Sequence, residues 1–181
     1  NIFFALSVFI TMPLFIKSFL VFFKKISKDR SFFAQWLAHL SIGLFIVAAV
    51  YTEQFDYEKN ITFEKGDSNE IVLNEGASLL LENIKDSDLS NHQKISVDLI
   101  VVEKNSKYHL SPSKNIYQPS GQVTNEVSTV NRYFDQYYAT ISMIESDKVS
   151  INLVFKPFIN LLWISSILLV FSIFLSIIKR K

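Results

Sequence analysis

Two uninterrupted apolar runs constrain this chain more than any other feature of its sequence. The first extends from Ser31 to Tyr51 and the second from Phe158 to Ile178, and each contains 21 residues without a formal charge. At a rise of ~1.5 Å per residue, a helix of this length reaches about 31 Å, which is the thickness of the hydrocarbon core of a bilayer. Both runs are predicted to be transmembrane helices. The second is expected to begin at Pro157, because proline favours the first helical position.

A third apolar segment, Asn1 to Phe23, is less regular because Pro13 and Lys17 interrupt it. Two interpretations remain open. Either a full span ends with this segment and Lys17 extends towards the headgroups, or a span that began upstream ends near Ile16 and continues as an interfacial amphipathic helix. We favour the second. Because the chain begins inside an apolar run, we expect it to be a piece of a longer polypeptide or a processed one.

Charge predicts the orientation of these helices. The loop 24–30 and the terminal residues 179–181 are strongly basic, which favours a cytoplasmic location for both. Segment 52–156 carries 10 Lys/Arg against 16 Asp/Glu, a net charge of −6, and is large enough to fold as a domain. We therefore predict an inner (cytoplasmic) membrane protein. Its parts are a transmembrane or interfacial helix with a basic loop (1–30), transmembrane helices (31–51 and 157–178), a periplasmic domain (52–156) and a cytoplasmic tail (179–181).

Within segment 52–156 the long apolar runs give way to short alternations of Val, Ile, Leu and Tyr between turn residues, a pattern typical of β-strands. The predicted fold class is membrane α plus soluble β: two to three transmembrane helices with an exported antiparallel β domain, a sandwich or partly open barrel, inserted between the last two. Segments 86–94 and 111–124 are predicted loops. The candidate strands are 60–64, 70–74, 77–84, 95–103, 107–111, 137–144 and 149–155, with turns at 64–67, 103–106 and 145–148.

Several kinds of chemistry are excluded or disfavoured by composition. The chain has no Cys, which rules out disulfides, thiolate metal sites and Cys nucleophiles. Four glycines are too few for a phosphate-cradling loop, the carboxylates are dispersed, and an acidic exported segment argues against a nucleic-acid partner. His92 and His109 lie in dissimilar surroundings and are predicted to be structural or solvated. No catalytic residue is predicted.

His39 is the strongest functional signal, because it is an ionisable group inside a predicted span. Such groups are costly in lipid and usually face a bundle interior, pair with a partner or bind a cofactor. Five roles for His39 remain open: a helix–helix hydrogen bond, a wet interfacial position, a haem-iron ligand, another metal ligand or a proton relay. Trp36 lies on nearly the same face, as a stacking partner or an interfacial anchor. Small residues nearby predict close helix packing or a flat cofactor, and favour burial of the imidazole: Ala34, Ala38, Ser41, Ala48 and Ala49.

The stretch "LAHLSIGLFIVAAVYTEQF" (37–55) resembles the CcmF family, haem-handling membrane proteins of cytochrome c maturation in which an Ala-His-Leu tripeptide opens a span leading into an exported domain. Three later stretches are similar in the same order: "LSPSKNIY" (110–117), "TNEVST" (124–129) and "FKPFINLLWISSILL" (155–169). The resemblance extends from about residue 37 to the C-terminus. The chain departs from the family's pattern at Ser41, Asn115 and Asn125.

The resemblance implies that His39 ligates the iron of a resident haem b, with the second ligand outside this chain. It implies the C-terminal part of a cytochrome c haem lyase, not catalytic alone, whose partners are a haem chaperone, apocytochrome c, other maturation subunits and membrane lipid. His92 and His109 do not match the family's exported haem-binding histidines. The alternatives are the membrane component of the other bacterial cytochrome c assembly system and a non-enzymatic membrane-anchored β interaction module. The motif 156–158 (Lys-Pro-Phe) favours CcmF.

Overall fold

The computed structural model describes residues 2–25, 30–64, 70–74, 76–104, 106–145 and 148–178. The predicted turn at 64–67, much of the basic loop 24–30 and the tail 179–181 lie outside the described residues. The described elements are α1 (Ile2–Lys25), α2 (Arg30–Phe55), β1 (Tyr57–Glu64), β2 (Glu70–Asn74), β3 (Ala77–Asp88), β4 (His92–Glu103), β5 (Ser106–Leu110), β6 (Ser113–Tyr117), β7 (Val123–Glu126), β8 (Ser128–Arg132), β9 (Asp135–Ile144), β10 (Lys148–Lys156) and α3 (Ile159–Ile178).

The chain divides into two compact units. The helical unit contains Asn1–Asp56, Tyr133–Asp135 and Lys156–Lys181, and the β unit contains Tyr57–Arg132 and Gln136–Phe155. Among the described residues, two helical stretches are long and apolar enough to cross a membrane: Phe33–Phe55, with a mean hydropathy of 1.8, and Ile159–Ile178, with a mean hydropathy of 2.6. The prediction of apolar helices combined with an antiparallel β domain is therefore confirmed.

The three helices pack through small side chains. On α2, Ala34, Ser41 and Ala48 recur every seven residues, and all three are buried. The Ser41 hydroxyl donates to the carbonyl of Leu37 at 2.7 Å, so it is satisfied within its own helix and lets neighbouring backbones approach closely. We call this surface of α2 the small-residue seam. Buried small residues on the other two helices are Thr11 and Ser18 on α1 and Ser165 and Ser172 on α3.

The end of α2 is joined to the start of α3. The Thr52 hydroxyl donates a 2.6 Å hydrogen bond to the carbonyl of Pro157, and this contact is buried. The Tyr51 ring packs edge-on against Phe158, with ring centroids 4.6 Å apart. Because these residues are distant in sequence, the two contacts fix the antiparallel arrangement of α2 and α3.

The third helix begins at Ile159, two residues later than predicted. Phe158 has a positive φ of 55°, which is outside the helical region, so Pro157 cannot serve as the first helical residue. The amide of Phe158 donates instead to Asp135 Oδ1 at 3.0 Å. A carboxylate at this position also interacts favourably with the positive end of the helix dipole.

The β unit consists of two antiparallel sheets. The first has the order β1-β10-β9-β8, and β1 pairs with β10 along its whole length, from Tyr57 opposite Phe155 to Glu64 opposite Lys148. The second has the order β2-β3-β4-β6-β7, with β5 also paired to β4. Both sheets contribute inward side chains to one core, as in a sandwich. Its buried members are Ile61, Phe63, Leu79, Leu81, Val97, Leu99, Val101, Leu110, Tyr137, Ala139, Ile141, Val149, Ile151 and Leu153.

Strand β4 organises the second sheet because it is long enough to pair twice on one side. Its first half pairs with β6, from His92 opposite Tyr117, and its second half pairs with β5, ending at Glu103 opposite Ser106. The buried Pro112 lies between β5 and β6, and its carbonyl accepts a hydrogen bond from the amide of Val97 at 3.0 Å. The chain therefore passes from β5 to β6 while remaining paired with the same edge of β4.

The two predicted loops were largely wrong. Segment 86–94 contains the end of β3 and the start of β4, so only residues 89–91 connect these strands. Segment 111–124 contains β6 and the start of β7, and β8 follows after Val127. Strands β6 and β7 were missed because they are short and polar and because Pro112 and Pro119 flank β6. Their pairing partners, rather than their own β propensity, determine their conformation.

Overpacking the small-residue seam is expected to destabilise the helical unit. Ser41→Leu inserts a large side chain at a fully buried position, which costs about 1–3 kcal/mol. The midpoint of thermal unfolding in detergent should fall. Ile42→Leu, at an exposed neighbouring position on the same helix, is the matched control and should change the midpoint little. Equal midpoints for the two variants would contradict tight packing at Ser41.

Candidate functional site

His39 lies on the face of α2 opposite the small-residue seam. A helix turns by about 100° per residue, which puts His39 roughly 140–180° away from Ala34, Ser41 and Ala48. Its side chain is accordingly exposed, whereas all three of those residues are buried. The expected burial of the imidazole is therefore not found within this chain. The ring points away from the helices that pack on α2, towards a surface where another group can reach it.

A hydrogen bond within α2 selects the tautomer of the neutral ring. His39 Nδ1 lies 2.7 Å from the carbonyl oxygen of Gln35, one turn earlier. A carbonyl only accepts, so Nδ1 carries the hydrogen, and in the neutral imidazole the lone pair is on Nε2. This is the arrangement common to metal-ligating histidines, in which one ring nitrogen donates to a backbone carbonyl while the other binds the metal. The donor chemistry of His39 therefore fits an axial ligand for haem iron.

An apolar groove lies between α1 and α2 next to this position. Its volume is about 280 Å³, and it is lined by Phe15, Phe19, Trp36 and Leu40 together with three further α1 residues. Trp36 thus faces α1, and its ring is 5.8 Å from that of Phe33. Trp36 packs against hydrocarbon side chains here, and its role as an interfacial anchor stays a prediction.

The two histidines of the β unit do not form a site. His92 stacks on Tyr117, with ring centroids 4.9 Å apart, and its Nδ1 is 2.7 Å from Asn91 Oδ1. His109 is an exposed residue of β5, opposite Ile100. In the described parts of the chain, no group of three or more His, Cys, Asp and Glu residues could hold a metal ion.

Two of the stretches that carry the CcmF resemblance are neighbours in the second sheet. Strands β6 and β7 pair with Ser113 opposite Glu126, and the Glu126 carboxylate accepts three hydrogen bonds. These come from Lys94 Nζ at 2.9 Å, Ser113 Oγ at 2.6 Å and Asn115 Nδ2 at 3.0 Å. The bond from Lys94, followed by those from Ser113 and Asn115, lowers the pKa of Glu126 to about 2. We call these four residues the Glu126 cluster.

A second polar network is centred on Asp98 of β4. Ser111 Oγ donates to Asp98 Oδ1 at 2.8 Å, and Lys85 Nζ lies 2.6 Å from Asp98 Oδ2. The Lys85 bond, assisted by Ser111, holds the pKa of Asp98 below its ordinary value. The amide of Ser111 donates to Ser128 Oγ at 2.9 Å, so this network connects β4 to β8.

A third group of ionisable side chains is more deeply placed. Arg132 pairs with Glu103 Oε1 at 3.0 Å, whereas the buried Glu103 Oε2 and the buried Tyr57 hydroxyl have no hydrogen-bond partner among the described residues. Burial, and then the nearby Glu103 charge, raises the pKa of both Tyr57 and Tyr137. Both phenols therefore remain protonated well above neutral pH.

These polar groups were not found by sequence reasoning. Asn115 was identified only as a departure from the family's pattern, and Glu126 only as part of a similar stretch. Their meeting depends on the register of β6 against β7, which no local pattern specifies. The i, i+2 spacing of Ser113 and Asn115 is the one sequence signal, because it places both side chains on one face of a strand, where both are buried.

The fold and the site together define a class of protein: apolar helices that carry an outward-facing histidine, with a two-sheet β unit inserted in the chain between α2 and α3. A solved structure described as "Cytochrome c Heme Lyase CcmF" has this fold, with a TM-score of 0.76 and 10% sequence identity. The match covers 97% of this chain and 30% of that one, so the chain spans under a third of the length of its structural relative.

The resemblance to CcmF predicted from sequence is therefore confirmed at the level of the fold. No protein-family model and no curated protein sequence matches this chain. At 10% identity the structural match carries the architecture, and the chemistry has to be argued from the residues themselves.

The Glu126 cluster predicts a pH dependence of stability. In the folded protein the pKa of Glu126 is about 2, below its ordinary value of 4.5, so ionised Glu126 stabilises the fold above pH 4.5. This stabilisation should be lost as pH falls from 4.5 towards 2. Chemical denaturation of wild-type protein and Glu126→Gln across this range should show a difference that is largest above pH 4.5 and disappears near pH 2. Glu82→Gln, at an exposed carboxylate of β3, is the control. A wild-type to Glu126→Gln difference that does not vary with pH would contradict the prediction.

Proposed function

We propose that this chain is the C-terminal part of a membrane haem lyase of cytochrome c maturation, and that His39 supplies one axial ligand to a resident haem b. The observation that carries the proposal is the His39 imidazole, which donates from Nδ1 to Gln35 and keeps the Nε2 lone pair on the outward face of α2. The shared fold with CcmF supports the context in which such a ligand functions.

The residues of this chain have distinct roles in the proposed site. The Gln35 carbonyl fixes the tautomer and rotation of the His39 ring, and the small-residue seam fixes α2 against its neighbours so that His39 faces outward. A haem bound there supplies one-electron redox chemistry, with a potential set by its axial ligands and by the dryness of its surroundings. One histidine provides one axial ligand, so the second ligand comes from another part of the assembly.

Topology and partners follow from charge and from the proposed activity. We propose that α2 and α3 cross the inner membrane with segment 52–156 on the periplasmic side, because that segment has a net charge of −6 and the flanking loop and tail are basic. The β unit would then face the haem chaperone and apocytochrome c, with other maturation subunits bound nearby. We propose that the groups that attach haem covalently lie outside this chain.

Substitution of His39 tests the proposal directly. The protein is purified in mild detergent from the membranes of its own host, so that bound partner chains are retained. His39→Ala should lower the haem content, measured from the reduced-minus-oxidised spectrum of a b-type haem, by more than ~10-fold, since even the loss of a residue that only supports a ligand costs about that much affinity. Gln35→Ala keeps the backbone carbonyl and should retain haem.

Rescue separates a ligand from a packing residue. His39→Gly leaves space at the ring position, and added imidazole should restore the b-type spectrum if the ring binds iron. Full haem content in His39→Ala would overturn the ligand assignment. Haem loss without rescue, together with a lowered midpoint of thermal unfolding, would instead favour a membrane-anchored β module in which His39 only packs.

A further inference from the structure

The turn between β8 and β9 presents two large aromatic side chains to the outside. Tyr133 is 91% exposed and adopts a positive φ of 49°, and Phe134 is 48% exposed. Neither ring belongs to the hydrophobic core of the β unit. By contact these residues belong to the helical unit rather than to the β unit. We call residues 133–135 the hairpin tip.

Hydrogen bonds attach the hairpin tip to the first turn of α3. The amide of Asn160 donates to the Phe134 carbonyl at 3.0 Å, and the Asn160 side-chain amide donates to the Tyr133 carbonyl at 3.0 Å. The amide of Phe158 donates to Asp135 Oδ1. The first amides of a helix have no partner within the helix, so the tip satisfies groups that would otherwise need water. The tip is thereby held at the level where α3 begins.

Aromatic rings continue from the tip along the same ends of both long helices. The Phe134 and Phe158 ring centroids are 6.2 Å apart, those of Phe158 and Tyr51 4.6 Å, and those of Tyr51 and Phe55 4.4 Å. Tyrosine and tryptophan concentrate where membrane helices leave the hydrocarbon, because an apolar ring with a polar edge suits the headgroup layer. At the last turn of α2 and the start of α3, Tyr51 is a ring of this kind, and Phe55 and Phe158 pack against it.

We propose that the hairpin tip is an interfacial membrane anchor, with the Tyr133 and Phe134 rings inserted among the lipid headgroups of the leaflet that faces the β unit's side of the membrane. The inference rests on the proposed function in requiring α2 and α3 to span the bilayer. Lipid is the partner because the tip is fixed at the level of the helix ends and exposes apolar rings. Its carboxylate, Asp135, is directed at the amide of Phe158 and at the positive end of α3.

Single-cysteine labelling tests the anchor. The chain has no Cys, so unmodified protein gives the labelling background. An environment-sensitive NBD fluorophore is placed at Tyr133→Cys, at Ile167→Cys in the middle of α3, and at Ser120→Cys in the exposed turn between β6 and β7, in protein reconstituted into phosphatidylcholine nanodiscs. Quenching is compared among aqueous iodide, lipid with a nitroxide on the headgroup, and lipid with a nitroxide deep in the acyl chain.

The Tyr133 probe should have a blue-shifted emission and lose most of its intensity to the headgroup nitroxide, whereas the Ser120 probe should respond only to iodide. If the Tyr133 probe behaves like the Ser120 probe, the anchor is overturned. Protection of the Tyr133 probe from iodide and from both nitroxides would show a protein cover and also overturn it. The Ile167 probe tests the underlying topology separately: strong quenching by the deep nitroxide supports a spanning α3, and its absence removes the spanning proposal together with the anchor.

Discussion

The hydrogen bond from Thr52 to the Pro157 carbonyl is the contact on which the organisation of this chain depends. It joins residues 105 positions apart, and it is buried between α2 and α3. Closing so long a segment costs conformational entropy, but this cost rises only slowly with length. In the β unit, the first and last strands are paired from Tyr57 opposite Phe155. The chain therefore leaves and re-enters the helical unit through neighbouring strands, and a whole β unit can be inserted without separating the two helices.

The same helix has to satisfy two different demands on its opposite faces. The seam face needs small residues, because they allow the backbones of packed helices to approach closely. The other face carries His39, whose ring orientation is fixed by its own backbone through Gln35. Because the orienting bond is intrahelical, α1 and α3 need not contact the imidazole. The bond to Gln35 therefore orients the ring on α2, whereas the packing of the small-residue seam leaves this face of α2 exposed.

Features set by length and composition could be predicted from the sequence, whereas features set by pairing could not. The two long helices follow from apolar runs, and strand β2 was predicted with its observed bounds of Glu70–Asn74. The short strands β6 to β8 were missed, because their conformation depends on pairing, of β6 with β4, of β7 with β6 and of β8 with β9, rather than on their own residues. The true start of α3 was missed for the same reason, since Asp135 captures the amide of Phe158 from a distant hairpin. The importance of His39 was evident from sequence, but its outward orientation required the packing of α2.

The stretches that resemble CcmF differ in whether their polar groups are bonded within the chain. The carbonyl of Pro112 accepts a hydrogen bond from the amide of Val97, the Glu126 carboxylate accepts three hydrogen bonds, and the carbonyl of Pro157 accepts one from Thr52. Each of these groups is therefore satisfied within the folded chain. Nε2 of His39 has no such contact within the described residues. A polar nitrogen turned towards hydrocarbon costs free energy unless it is bonded. If α2 spans the bilayer as proposed, contacts among the described residues do not offset that cost for Nε2, whereas an iron atom or a donor from a further helix does.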